Sequence, residues 1–163
     1  MDFLSDFMAP THVPIATIAV RLLVAALLGA AIGAEREWRN RSAGLRTHML
    51  TALAAAVFTI LTGEILHSQL LSGESAQADP IRVIEAVTSG VAFLAAGAII
   101  QSRGRVHGLT TGAGMWLAGS LGVAAGLGHF IIGAFAAALG LVIIILLRLV
   151  ESGDASGKRS DRS

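Results

Sequence analysis

Five stretches of about twenty apolar residues each leave this chain few folds to choose from. A helix needs roughly 20 such residues to cross the ~30 Å hydrocarbon core of a bilayer. Inside that core only structures that satisfy their own backbone persist. The stretches cover 13–34, 47–66, 81–100, 109–127 and 129–147. Only Arg21 interrupts the first, and Arg82 and Glu85 stand near the start of the third. Pro10, Pro14 and Pro80 fall where stretches begin, and a missing amide proton does no harm there. Little more than Gly128 separates the last two stretches, which predicts a tight helical hairpin. The expected fold is an all-α integral membrane bundle of five transmembrane helices. Residues 1–12 form an outer N-terminal segment and 13–150 the transmembrane domain. The Gly-, Ser- and charge-rich tail 151–163 is expected to be disordered.

Composition agrees with a lipid environment. Charged residues make up 14% of the chain, against about a quarter in soluble domains. Twelve Lys/Arg against eleven Asp/Glu give no basic excess, so nucleic acid is not an expected partner. With no cysteine there are no disulfides, thiolate metal sites or cysteine nucleophiles. The first stretch opens with Asp2 and Asp6 instead of a basic region, so it reads as a retained span and not a cleaved leader.

The charges also sort by side. Arg36, Arg39, Arg41 and Arg46 surround the first connection, Arg103 and Arg105 the third, and Arg148, Lys158, Arg159 and Arg162 the tail. Asp2, Asp6, Glu64, Glu74 and Asp79 lie on the other side. By the positive-inside rule the N-terminus is outside and the C-terminus cytoplasmic.

A repeat lies under this pattern. Gly44-Leu45-Arg46-Thr47 follows the first stretch and Gly108-Leu109-Thr110-Thr111 the third, 64 positions on. At that offset Ala31, Gly33, Ala34, Arg39, Arg41, Gly44, Leu45, Thr47, Leu53 and Ala54 all meet identical residues. One reading makes the first four helices two parallel-repeat hairpins about an axis along the membrane normal, an arrangement found in transporters. The other makes the similarity a convergence of short inner turns on Gly, basic anchors and Thr caps. The offset also aligns Arg21 with Glu85. A charge at the centre of a membrane helix costs ~3 kcal/mol or more and rarely stays unpaired. Arg21 is therefore expected to pair with Glu85 or Glu64, while Arg82 snorkels outward or pairs locally with Glu85.

Gly29/Gly33 and Gly122/Gly126 form GxxxG faces, and Gly133 and Gly140 are seven apart in the fifth stretch. Such faces predict close helix packing and allow a homo-oligomer. His12, His48, His67, His107 and His129 are scattered without metal-ligand spacing. Glu35–Arg39 and Glu37–Arg41 are spaced as helical i,i+4 pairs. No serine sits in a nucleophile motif and no glycine loop suggests a nucleotide, so neither catalysis nor a cofactor is expected.

The run Gly33-Ala34-Glu35-Arg36-Glu37, followed by Ala43-Gly44-Leu45-Arg46-Thr47-His48-Met49-Leu50, resembles the signature of the bacterial MgtC/SapB family. So does Ser89-Gly90-Val91-Ala92-Phe93-Leu94-Ala95-Ala96-Gly97-Ala98-Ile99-Ile100, with Val106-His107-Gly108-Leu109-Thr110-Thr111 and Trp116 behind it. The resemblance covers roughly Arg21 to Gly128. It carries over Glu35, Arg36, Gly44, Arg46, Thr47, Gly90, Phe93, Gly97, Gly108, Thr110, Thr111 and Trp116 as functional candidates. It implies a multi-pass protein of the bacterial inner membrane, tied to growth in low magnesium and to virulence through survival in host phagocytes. Its best-known members resemble modulators of other membrane proteins, notably the proton-driven ATP synthase, and not Mg²⁺ transporters. Ala95 and Gly112 depart from the pattern by small-for-small exchange. Many members continue into a cytoplasmic ligand-binding-like domain, which is not expected here after the polar tail.

Two functions follow. One is a regulator that binds a membrane partner, ATP synthase or a transporter. The other is a small ion or solute carrier working between the two hairpins around Arg21 and Glu85.

Overall fold

The computed structural model describes residues 10–71, 79–102 and 105–160. Five helices stand where the apolar stretches predict them: α1 Ile15–Trp38, α2 Leu45–Leu71, α3 Pro80–Ala98, α4 Leu109–Leu127 and α5 Phe130–Ser160. By length and composition α1, α2 and residues Ile81–Ala98 of α3 can each cross a membrane. The apolar part of α5, Phe130–Leu146, is shorter. Most of the expected N-terminal segment, and the second connection with Glu74, lie outside the described residues.

Helix ends follow local chemistry. Pro80 opens α3, and the Asp79 carboxylate accepts from Ile81 N at 2.9 Å as its cap. At the end of α1, Asn40 adopts φ 51°. Asn40 N donates to Glu37 O (2.9 Å) and Arg41 N to Arg36 O (3.1 Å), the paired bonds of a left-handed helix stop. Gly128, at φ 84°, ends α4 in the same way, with Gly128 N on Ala125 O and His129 N on Ala124 O. That stop produces the tight turn into α5.

Three boundaries correct the sequence reading. α1 runs four residues past Ala34, because Glu35, Arg36 and Glu37 continue the helix instead of leaving it. α5 continues to Ser160, where a disordered tail was expected from Glu151. Once nucleated, a helix extends at little cost per residue, and polarity alone does not stop it. α3 stops at Ala98, and an antiparallel pair follows, β1 Ile100–Ser102 with β2 Arg105–His107. This short pair apart, the described fold is helical, as the sequence predicts.

α4 meets every other helix, and α2 lies deepest against α1 and α4. α1 packs along α2 most extensively and α4 almost as much, while α1 and α4 also meet. α3 leans on α4 and barely touches α2; α5 covers α4 and α1. The interior consists of small residues: Ala25, Ala52, Ala56, Ala118 and Ala125 are buried, and Ile32, Leu121 and His48 are the largest fully buried side chains. Leu23, Phe58, Phe93, Ile131 and Phe135 face outward.

Candidate functional site

The charged run at the end of α1 folds into a small self-contained cluster. Arg36 is buried, and its guanidinium holds Glu35 Oε2 through Nε (2.6 Å) and Nη2 (2.5 Å). Arg39 Nε reaches Glu35 Oε1 at 3.6 Å, the i,i+4 pair that the spacing predicts. The Glu35 carboxylate is thus held between two guanidiniums. Glu37 does not pair with Arg41, because the helix ends at Trp38 and helical spacing no longer applies. Instead Glu37 Oε2 accepts from Leu45 N (3.0 Å), the first amide of α2, where helix N-termini favour negative charge. Gly44 leaves the space this needs, since a Cβ there would collide with the Glu37 carboxylate.

His48 lies one turn further along α2 and is fully buried. Its Nδ1–H donates to Gly44 O at 2.8 Å, while Nε2 is buried without a partner. Gly33 of α1 and Gly114 of α4 flank the ring: a Cβ on either would come within 3.0 Å of it or its Cβ. Sequence spacing gave His48 no role beyond its place in the motif. Its burial depends on glycines from two other helices, which no local pattern exposes.

The remaining candidates divide into two groups. Thr111 is buried at the start of α4, and Gly108, at φ 89°, passes so close to the end of α3 that a Cβ would strike Ala98 O. Thr47 accepts the Thr51 hydroxyl through its carbonyl (2.8 Å). Arg46, Thr110, Phe93 and Trp116 are exposed, and Gly90 and Gly97 border open space. The structure therefore gathers Glu35, Arg36, Gly44 and Thr47 at one end of the α1–α2 hairpin and turns Phe93, Gly97 and Trp116 away from the bundle.

Arg21 corrects the sequence reading most directly. It pairs with neither Glu85 nor Glu64: its Nη1 donates to Gly126 O in the last turn of α4 at 2.8 Å. The glycine stop consumes the Ala124 and Ala125 carbonyls and leaves Gly126 O free, at the negative end of the helix dipole. Glu64 instead accepts the amides of His12 (2.6 Å) and Val13 (3.0 Å), where the chain enters α1. Glu85 is exposed. Among the described residues no three His, Asp or Glu side chains converge as metal ligands.

Residues 22–152 match the sequence profile of the MgtC family. The chain belongs to the MgtC family. Protein MgtC of Salmonella typhimurium (strain LT2) is 45% identical over 129 residues, 79% of this chain and 52% of that protein. Protein MgtC of Brucella abortus (strain 2308) is 40% identical over 135 residues, 83% of this chain and 53% of that protein. YhiD of Escherichia coli (strain K12), whose name suggests magnesium transport, is 34% identical over 129 residues, covering 79% and 60%. The chain thus spans between about half and three-fifths of the length of the curated relatives it matches. No solved structure matches it. The matched segment of this MgtC-family chain contains both the Glu35–Arg36 cluster and the outward-facing residues of α3 and α4.

Proposed function

We propose that this MgtC-family chain is a five-span protein of the bacterial inner membrane, with its N-terminus outside, that regulates another membrane protein by binding it. The bilayer reading is supported by an interior of alanine and glycine beneath an exterior of leucine, isoleucine and phenylalanine, the inverse of what water selects. Two parallel hairpins are supported by the starts of α2 and α4 at Leu45 and Leu109, equivalent positions of the 64-residue repeat. The regulatory reading rests on one observation: Phe93, Gly97 and Trp116 match the family pattern yet are left exposed by the described residues. Residues retained for internal packing would be inside.

The carrier reading needs a path between the hairpins. At the α2–α4 seam that interface is closed, with Gly122 and Gly126 of α4 against the α2 backbone at Ala52 and Ala56, and the α2–α3 seam that stays open is apolar, with its charges Asp79 and Arg82 at one end only. Arg21 and Glu85, the charges that reading would use, are not paired. The resemblance makes ATP synthase the first partner to test. Tagged chain extracted from bacterial membranes in mild detergent should recover ATP synthase subunits, identified by mass spectrometry. Phe93→Ala together with Trp116→Ala should lower recovery at least fivefold at unchanged membrane level. Ion-gradient-driven uptake in liposomes that disappears on Arg21→Ala would reverse the choice.

A further inference from the structure

The weak contact between α2 and α3 leaves an apolar groove of about 750 Å³, within the usual range for small-molecule sites. Its walls run from Asp79 and Arg82 at one end to Leu94 at the other. Phe58 and Ile65 of α2 and Val87 and Val91 of α3 line it. Two threonines line it, but neither offers a free donor: Thr51 donates to Thr47 O and Thr62 to Phe58 O, each at 2.8 Å. Gly90 keeps the floor open, since a Cβ there would meet nothing within 4 Å. The ionic character is confined to the mouth. Arg82 makes no ion pair among the described residues, and Asp79 uses one oxygen to cap α3.

We propose that this groove seats an acyl chain of a zwitterionic phospholipid, with the phosphate at Arg82 and the headgroup ammonium at Asp79. Charge complementarity selects this occupant. An apolar helix or a second copy of the chain would fill the walls and leave the guanidinium and carboxylate at the mouth unanswered, whereas a phosphate–ammonium headgroup answers both. The dimensions agree. Arg82 to Leu94 is twelve residues of helix, about 18 Å at 1.5 Å per residue. One leaflet of a ~30 Å hydrocarbon core is about 15 Å deep. The charges also stand at the beginning of α3, the level of the headgroups in the five-span arrangement.

The inference rests on the membrane reading above, and the test separates the two. The full chain is expressed in bacteria, and its membranes are washed at alkaline pH before mild extraction. Retained lipid is then counted by native mass spectrometry with phosphatidylethanolamine or phosphatidylglycerol added. Wild type should keep phosphatidylethanolamine at least threefold better than phosphatidylglycerol. Arg82→Gln should lower that retention about tenfold. Asp79→Asn preserves a good helix cap but removes the carboxylate, and should erase the preference between the two lipids. Gly90→Leu fills the floor and should abolish retention, with helix content by circular dichroism unchanged. A chain released by the alkaline wash overturns both readings. A chain that stays in the membrane but retains either lipid equally, with Arg82→Gln and Gly90→Leu indistinguishable from wild type, overturns the lipid site alone. So does a polypeptide cross-linked into the groove in its place.

Discussion

Arg21 stands eight residues into the first apolar stretch, and its depth alone demands a partner. Carboxylates are the obvious partners in a sequence, yet the group that answers it is a backbone carbonyl. The stop at Gly128 creates that vacancy, since it satisfies Ala124 O and Ala125 O and leaves Gly126 O unbonded. Gly128 also gives the guanidinium room, because a Cβ there would lie 3.2 Å from Arg21 Nη2. A hydrogen bond to a charged group contributes about 1.5–3 kcal/mol. Arg21→Met should therefore destabilise the bundle by about 2 kcal/mol in reversible detergent unfolding, and Glu85→Gln by less than about 0.5 kcal/mol, as an exposed group that makes no ion pair among the described residues. Equal losses from the two would restore the carboxylate pairing. The need for a partner was legible in the sequence; its identity was not, because helix-end carbonyls carry no residue code. The same limit applies to Glu37, whose expected Arg41 pairing assumed a helix that stops at Trp38.

At the scale of the element, α2 explains why small residues recur through the chain. Gly29 and Gly33 bring α1 onto its His48 and Ala52 turns, and Gly122 and Gly126 bring α4 onto Ala52 and Ala56. Both GxxxG faces are therefore occupied within one chain and are not available for self-association. A Cβ at Gly122 would overlap the Ala52 carbonyl, backbone that cannot swing aside. Overpacking of this kind costs about 1–3 kcal/mol, so Gly122→Ala should lower the thermal midpoint measured by circular dichroism. Gly97→Ala meets nothing within 4 Å and gains helix propensity of about 1 kcal/mol, so it should leave the midpoint unchanged or raise it. If both substitutions lowered it equally, Gly97 would have a contact that this packing lacks. The sequence displayed which faces are small but not which helix each one meets, since GxxxG specifies close approach without naming a neighbour. The β1–β2 pair was illegible for another reason. Three-residue strands are too short for a hydrophobic period to register.

Across the whole molecule, the two halves share a pattern but not a packing. α1 closes against α4 beneath α5, whereas the equivalent approach of α3 to α2 stays open as the groove. A repeat that only stabilised the bundle would be expected to close both seams. One seam is sealed by a helix for which the repeat has no counterpart, and the other is left to the surroundings. In the proposed five-span arrangement the surroundings would differ along the groove, headgroups at Arg82 and acyl chains at Leu94, which would make the orientation of the chain a functional property. In the proposed arrangement orientation follows from the arginines around the first connection, which the positive-inside rule assigns to the cytoplasmic face. The absence of native cysteine makes this directly measurable. Ser42→Cys, exposed in that connection, should react with a membrane-impermeant maleimide only after the cells are opened. Ser75→Cys, in the connection between α2 and α3, should react in intact cells once the outer membrane is made permeable. The opposite labelling would place Arg82 and the groove mouth at the cytoplasmic leaflet. Labelling of both sites from one side would mean that α2 does not cross the bilayer, and the five-span arrangement would fall with it.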